Sequence, residues 1–408
     1  MHPLLRPAYA GIARVAATLS EAKWLRALGA RAGLIDRYRA WATLHRDANR
    51  PLLWIHAPSV GEALQARPIV ELIRSDRPAV QIAFTYYSPS AERFARSLGV
   101  DFTDYLPLDE ASDIDAALDA LAPTALVFSK LDVWPVLVER AAARGVRLGL
   151  VSATLSARSG RRSLLARALL RDAYARLDAV GAIDAADAKR LIEIGVRPSV
   201  IEITGDTRYD QVWRMAADAA DAFTELAGRS ICVAGSTWPP DERVVLPGWL
   251  GSGMQLIVAP HEPTPTHVHH IETWATSHKV ASSRLSSGET AADLVIVDSV
   301  GVLARLYSRA TVAYVGGGFH SAGLHSVLEP AAFGVPVLFG PRHAGSRDAG
   351  LLLAAGGGFV VRSAAEFRDR LSMDGRTAGA AAKEVVRHGL GAARRSLALV
   401  DRLMVGRE

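Results

Sequence analysis

Gly316-Gly317-Gly318-Phe319-His320-Ser321-Ala322-Gly323-Leu324-His325-Ser326-Val327-Leu328-Glu329-Pro330 is the stretch that decides how the chain is read. The apolar run Thr311 to Val315 ahead of it reads as a buried strand, and Val327 to Phe333 behind it as a helix closed by Gly334. Glycine has no Cβ and tolerates positive φ, so the backbone between the two can come close to a ligand. The helix that follows turns its free N–H groups and positive dipole end toward that gap, which suits a phosphate. Glu329 falls on the first turn, where a carboxylate can accept hydrogen bonds from a ribose. The spacing is neither G-x-G-x-x-G nor a P-loop, so an ordinary strand-to-helix turn with a capping residue is the competing reading.

Outward from this stretch the same alternation repeats. Leu52 to Ala57, Val80 to Thr85, Phe102 to Leu106, Ala125 to Phe128, Val146 to Val151, Ala179 to Ile183 and Val200 to Ile203 read as strands separated by helical patterns. One of those helices, Gly61 to Arg74, contains Pro68, which predicts a kink or a break. The pattern relaxes over Gly205 to Gly228. It resumes with strands at Ile231 to Ala234, Gln255 to Val258, Leu294 to Val297, Thr311 to Val315, Val335 to Phe339 and Phe359 to Val361. Ser282 to Thr290 is polar and reads as a surface turn, and Ala378 to Met404 as a helical tail. Strands apolar throughout, alternating with helices, predict parallel sheets covered on both faces. The expected fold is α/β, with two doubly wound units in series facing a cleft and ligands at the carboxyl ends of the strands. The expected division is a basic helical leader over 1–50, a first domain over 51–210 and a second over 211–408.

The bulk properties fit this and remove other classes. A chain of 408 residues, half of them hydrophobic and 22% charged, can bury more than one core. The single cysteine, Cys232, excludes an internal disulfide framework and a multi-cysteine zinc site. It lies in an apolar run and reads as a buried small hydrophobe. The net charge is +5, unevenly spread. Arg6, Arg14, Lys23, Arg26, Arg31, Arg37, Arg39, Arg46 and Arg50 face only Glu21, Asp36 and Asp47 in the leader. Arg158, Arg161, Arg162, Arg167 and Arg171 alternate with leucines further on. Such segments suit a membrane surface or an anionic partner, or form a solvated helix face. No aromatic stacking array accompanies them, so nucleic acid is not the expected partner. No run of eighteen apolar residues is present to span a bilayer, and no signal-peptide core is evident.

Several strand ends carry candidate chemistry. Ser59-Val60-Gly61-Glu62 follows the first strand, so Glu62 can be a general base at a strand's carboxyl end. Ser59 and Glu62 also have capping-box spacing, and the carboxylate can simply reach back to the Ser59 N–H. Ser129-Lys130-Leu131-Asp132-Val133-Trp134-Pro135 places a lysine, an acid and a tryptophan at one rim, for an anionic, hydroxyl-rich ligand or as a helix cap with Trp134 beneath. Gly235-Ser236-Thr237 and Ala259-Pro260-His261-Glu262-Pro263 suit phosphate and base contacts. His267, His269 and His270 lack the further ligands a zinc site needs, and no G-x-S-x-G elbow supports a hydrolase triad.

Taken in order, these motifs resemble bacterial Kdo transferases, GT-B glycosyltransferases that move 3-deoxy-D-manno-octulosonic acid (Kdo) from CMP-Kdo onto a lipid A precursor. The resemblance runs from about Leu52 to Val361. It rests on Trp54-Ile55-His56-Ala57 with Ser59-Val60-Gly61-Glu62, Trp134-Pro135, Leu155-Ser156-Ala157-Arg158-Ser159 and Gly205-Asp206-Thr207-Arg208-Tyr209-Asp210. Gly235-Ser236-Thr237, the glycine-rich stretch, Leu328-Glu329-Pro330 and Phe339-Gly340-Pro341 complete it. It implies Glu62 as catalytic base. The donor contacts it implies are Ser236, Thr237, Gly316, Gly317, Gly318, Ser326 and Glu329, and His261 and His325 are expected to bind the donor beside them. Acceptor contacts are expected at Ser59, Gly61, Lys130, Asp132, Arg158, Arg161 and Arg162. It implies no metal or other cofactor, CMP-Kdo and a lipid A precursor as partners, and a peripheral place on the cytoplasmic face of the inner membrane. The chain departs from the family at Ser326, where asparagine is usual, and at Lys130 and Asp132, where an acidic pair precedes Trp-Pro. A frequent P-R-H-P segment reads Pro260-His261-Glu262-Pro263, and the leader is less hydrophobic than the family's anchor. A transferase or epimerase using another nucleotide sugar and a membrane-associated binding protein without turnover are the alternative readings.

Overall fold

The computed structural model describes residues 29–157, 159–219, 222–226 and 228–405. They divide into two compact units, residues 29–211 with 391–405, and residues 212–390. Each is built on a seven-stranded sheet whose paired strands all run parallel.

In the first unit β1 (Leu52–His56), β2 (Gln81–Tyr86), β3 (Phe102–Tyr105), β4 (Ala125–Ser129), β5 (Arg147–Ala153), β6 (Ala179–Ala182) and β7 (Ile201–Ile203) lie in the order β3-β2-β1-β4-β5-β6-β7. β1, β2 and β4 are buried at every position, which is why they read as unbroken apolar runs rather than alternating ones. β1 pairs with β2 on one side and β4 on the other, with His56 opposite both Thr85 and Phe128. The strand order reverses at β1/β4, so the loops leaving those two strands diverge and leave room for a ligand at their carboxyl ends.

The second unit repeats the plan. Its strands are β8 (Ile231–Thr237), β9 (Gln255–Pro260), β10 (Ser282–Arg284), β11 (Leu294–Ile296), β12 (Val312–Val315), β13 (Val337–Phe339) and β14 (Gly358–Val360), in the order β10-β11-β9-β8-β12-β13-β14. Here the reversal falls at β8/β12, where Val315 lies opposite Gly235. Cys232 is fully buried in β8, and burial pushes its thiol up.

Four expectations are corrected. Of the kink or break expected at Pro68, the break does not occur: the helix Val60–Asp76 continues through it, the proline ring being buried with Ile69 and Val70. The missing N–H removes one bond, while the core face holds the turns on both sides. Ser282 to Thr290 is not wholly a turn, because Ser282–Arg284 adds an edge strand beside β11. The helix after the glycine-rich stretch is only Leu328–Ala332. The helical tail is two helices, Arg376–His388 and Ala392–Met404, and the second belongs to the first unit rather than to a domain over 211–408. Leu397, Leu399, Val400 and Leu403 are buried there, with Leu403 packed where a side chain on Gly149 of β5 would stand.

Of the basic leader, residues 1–28 lie outside the described residues. The remainder is tied to the first unit. The helix Leu34–His45 buries Leu34 and Tyr38, and the Tyr38 hydroxyl donates to the Tyr105 carbonyl at 2.8 Å. Arg37 donates twice to Asp104, at 2.7 and 3.0 Å. Arg46 reaches the Leu121 carbonyl at 2.8 Å and Arg50 the Ala79 carbonyl at 3.0 Å. These arginines tie the leader to the loops and strand ends of the first unit rather than forming a free basic face.

Candidate active site

The first constellation stands where β1 and β4 end. Ser59 is extended, with φ −137° and ψ 173°, and precedes the helix Val60–Asp76, so Glu62 falls on its first turn. No capping box forms. The Ser59 side chain accepts no cap hydrogen bond; its hydroxyl donates instead to Oε2 of Glu62. Lys130 Nζ donates to Oε1 at 3.0 Å, and the Ser129 hydroxyl donates to the Glu62 carbonyl at 3.0 Å. Burial pushes the Glu62 carboxyl up, but the Ser59 hydroxyl and the Lys130 ammonium outweigh it, and the net shift is below the ordinary value. Glu62 is therefore ionised at neutral pH while only 16% of its side chain is exposed. Gly61 is exposed, and a Cβ there would meet only the Ser59 hydroxyl at 3.8 Å. Packing does not demand the glycine.

Asp132 gathers a second group of side chains in the same loop. Its carboxylate accepts from Arg161 Nη2 at 3.1 Å and from Trp134 Nε1 at 3.0 Å. His56 Nε2 lies 3.6 Å from Oδ2. Burial raises the Asp132 carboxyl, but His56, Arg161 and Trp134 together bring it below the ordinary range. His56 itself is fully buried in β1. Its Nδ1 is 3.1 Å from the Thr85 hydroxyl, which also accepts Trp54 Nε1–H at 2.8 Å. Tyr87 stacks on Trp134 with ring centroids 5.3 Å apart. Arg162, expected at the same site, pairs with Glu193 at 2.9 Å, and Arg158 lies outside the described residues. Sequence reasoning assigned no role to His56 or missed Thr85 altogether, because a polar residue inside an apolar strand gives no sign of its cross-strand partner.

In the second unit the glycine-rich stretch is tightly constrained by the protein itself. A Cβ on Gly316 would fall on the Ser236 carbonyl, one on Gly318 on the backbone of Gly340, and Gly317 has φ +90°. The organiser of this turn is Asp241, fully buried at the start of the helix Pro239–Trp249. It accepts from the Trp238 and Gly317 N–H groups at 2.9 Å each, from Phe319 N–H at 3.3 Å and from the Tyr314 hydroxyl at 2.8 Å. The N–H groups of Gly317 and Phe319 thus point at a carboxylate of the protein. The phosphate cradle expected of Gly316 to Gly318 is corrected to this extent. The Asp241 signal in the sequence was an acidic residue after Pro-Pro, which reads only as a helix start.

The remaining donor candidates surround that turn. Ser236 has φ +53°, a left-handed conformation that is strained for a residue with a Cβ. Thr237 is buried, and its hydroxyl donates to Glu242 Oε1 at 2.8 Å, which His267 Nε2 meets at 2.9 Å. Trp238 stacks on His320 at 4.2 Å and on His261 at 4.7 Å, and His261 stacks on His325 at 4.3 Å. Trp238 Nε1–H donates to Nε2 of His325 at 3.2 Å. That acceptor role requires the nitrogen to be unprotonated, and burial with the neighbouring His261 holds the imidazole below its ordinary value. Ser326 is exposed beside it. Glu329 is half-buried, and burial pushes its carboxyl up to about 7. Among the described residues no group of three or more His, Cys, Asp or Glu side chains is arranged to hold a metal ion.

Solved structures share the fold. A glycosyltransferase from Rickettsia africae superposes with a TM-score of 0.58 at 10% identity, over 88% of this chain and 100% of its own. A UDP-GlcNAc 2-epimerase from Neisseria meningitidis, solved with UDP-GlcNAc, gives 0.56 at 12% identity over 83% of this chain and 99% of its own. The fold is thus the two-domain α/β arrangement of GT-B proteins. The 3-deoxy-D-manno-octulosonic acid transferase of Chlamydophila psittaci is 30% identical over 76% of this chain and 74% of its own length. That of Haemophilus influenzae is 28% identical over 71% of this chain and 70% of its own. Residues 3–211 match the family model described as 3-Deoxy-D-manno-octulosonic-acid transferase (kdotransferase). By this match and these relatives, the chain belongs to the Kdo transferase family of glycosyltransferases.

Proposed function

We propose that this protein is an inverting transferase that moves Kdo from CMP-Kdo to a sugar hydroxyl of a lipid A precursor. The observation that carries the reading is Glu62: a carboxylate kept ionised by Ser59 and Lys130, at the carboxyl end of β1, where the strand order reverses. In the reaction its carboxylate takes the proton of the acceptor hydroxyl. The hydroxyl oxygen bonds to C2 of Kdo, and the bond from C2 to the phosphate oxygen breaks, releasing CMP. The donor would be held in the second unit, with Glu329 toward the ribose and the Trp238, His261 and His325 rings beside the base or phosphate. Asp132 and Arg161 would orient the acceptor. Peripheral attachment to the cytoplasmic face of the inner membrane would fit the helix Leu164–Ala175. There Leu164 and Leu165 are 84% and 61% exposed beside exposed Arg167 and Arg171. Among the described residues no helix is long and apolar enough to cross a membrane.

The test is product formation from CMP-Kdo and a tetraacylated lipid A precursor, with wild type and Glu62→Gln in parallel. A positioned general base contributes roughly 10²–10⁴-fold, so the variant should lose about that much of kcat while melting within a few degrees of wild type. Equal rates would remove Glu62 from the mechanism. Absence of transfer by wild type, with transfer from a competing UDP-sugar, would replace the donor.

A further inference from the structure

The backbone of Lys130 is set before its side chain makes any contact. Its φ is +69°, a left-handed conformation that residues with a Cβ adopt where the surroundings impose it, and its N–H donates to the Val151 carbonyl at 2.9 Å. Ser129, one residue earlier, fastens the end of β4 to the first turn of the helix Val60–Asp76 through the Glu62 carbonyl. The ammonium is thereby delivered to Oε1 of Glu62 while Ser59 occupies Oε2. Both oxygens of the carboxylate already carry a donor.

An ammonium in contact stabilises a carboxylate and so weakens it as a base. The reaction proposed above asks the opposite of Glu62. The two partners are unequally placed: the Lys130 side chain is 40% exposed and that of Glu62 only 16%. Lysine is a compact charge on a flexible four-carbon stem, so the ammonium is the partner that can leave. Other charged groups nearby are engaged elsewhere. Arg161 is held by Asp132, Arg67 pairs with Glu71, and at the far end of the same helix Arg394 pairs with Asp76 and Arg77 with Asp401.

We propose that Lys130 is a substrate-operated clamp on Glu62: it holds the carboxylate in the resting protein and moves to a phosphate of the acceptor sugar when that sugar binds. The base is then released only when a hydroxyl is in place to be deprotonated. This rests on Glu62 being the base, and it identifies a phosphorylated sugar as the ligand of Lys130. Glu62 and the acceptor phosphate compete for one ammonium.

The chain has five lysines, so ¹³C-dimethylation of the full-length protein gives few NMR signals, and the one lost in Lys130→Met is assigned. The Lys130 signal should differ between wild type and Glu62→Gln in the free protein. Saturation with a bisphosphorylated glucosamine disaccharide lacking acyl chains should make the two coincide, and the unphosphorylated disaccharide should leave them apart. In turnover, Lys130→Met should raise the acceptor KM about tenfold more for the phosphorylated sugar than for the unphosphorylated one. Signals that coincide in the free protein, stay apart with the phosphorylated sugar, or never respond to it at millimolar concentration overturn the clamp. Convergence with inorganic phosphate alone overturns its assignment to the sugar. Convergence without any Kdo transfer by wild type would remove the donor reading and leave the clamp standing. Transfer with the signals fixed apart would do the reverse.

Discussion

Glu329 carries a carboxyl whose burial acts against the resting fold once it ionises. Its carboxyl is raised from 4.5 to about 7 by burial, so between those values the folded chain binds a proton that the unfolded chain has released. The contribution to stability is then fully present below about pH 4.5 and is lost as pH rises through about 7. Glu329→Gln removes the ionisable group, and the variant should melt above wild type at pH 8 and level with it at pH 4.5. A shift of this size corresponds to about 3 kcal/mol, roughly 6–12 °C of melting temperature in a unit of this size. Equal midpoints at pH 8 would mean that the carboxylate is solvated after all. The sequence placed Glu329 and Glu62 correctly after strand ends, since a strand followed by a polar turn and a helix is a local pattern. It did not show Lys130 holding Glu62 or Thr85 holding His56, because those pairs are made by neighbouring strands far apart in the chain.

At the level of the element, the glycine-rich turn after β12 is shaped less by its own glycines than by the first turn of the helix Pro239–Trp249. Asp241 accepts from the backbone of Trp238, Gly317 and Phe319 and from the Tyr314 hydroxyl. Removing a buried acceptor leaves its donors unpaired, each at about 1–3 kcal/mol. Asp241→Ala should therefore destabilise the second unit by at least about 3 kcal/mol in urea unfolding. On the donor reading proposed above it should also abolish CMP binding there, because β8 and β12 would lose the link that sets the turn. A stability loss below about 1 kcal/mol would show that water replaces the carboxylate. This arrangement was only half legible. Three adjacent glycines announce a close approach of backbone, but in the structure the approaching groups are Ser236 and Gly340. The edge strand Ser282–Arg284 was hidden for another reason: its burial pattern is exposed, intermediate, exposed, so it carries no apolar run to be read.

Across the whole molecule the doubly wound plan was legible because both sheets bury their central strands almost completely, but the path of the last helix was not. Amphipathic periodicity in Ala392–Met404 says that one face is covered and does not say by what. The covering surface is the first unit, where Asp210 accepts from the Gly391 and Ala393 N–H groups at 2.8 and 2.9 Å, Arg395 reaches the Thr204 carbonyl at 2.8 Å, and Arg77 grips Asp401 at 2.8 and 3.1 Å. Ending the chain after Leu390 would uncover the surface that meets Leu397, Leu399, Val400 and Leu403. A fully buried aliphatic side chain is worth about 1.5–3 kcal/mol, so four of them approach the 5–15 kcal/mol by which a folded domain is stable. The loss should fall on one unit. Calorimetry of the truncated chain should show the transition of the first unit lowered by many degrees or absent, while that of residues 212–390 keeps its midpoint. Glu62, carried by the first unit, would lose its setting although nothing near it in sequence had changed. If both transitions fell together, the helix would matter to the two units jointly; if neither moved, the buried face would be a minor cover, and the first unit would be complete at Gln211.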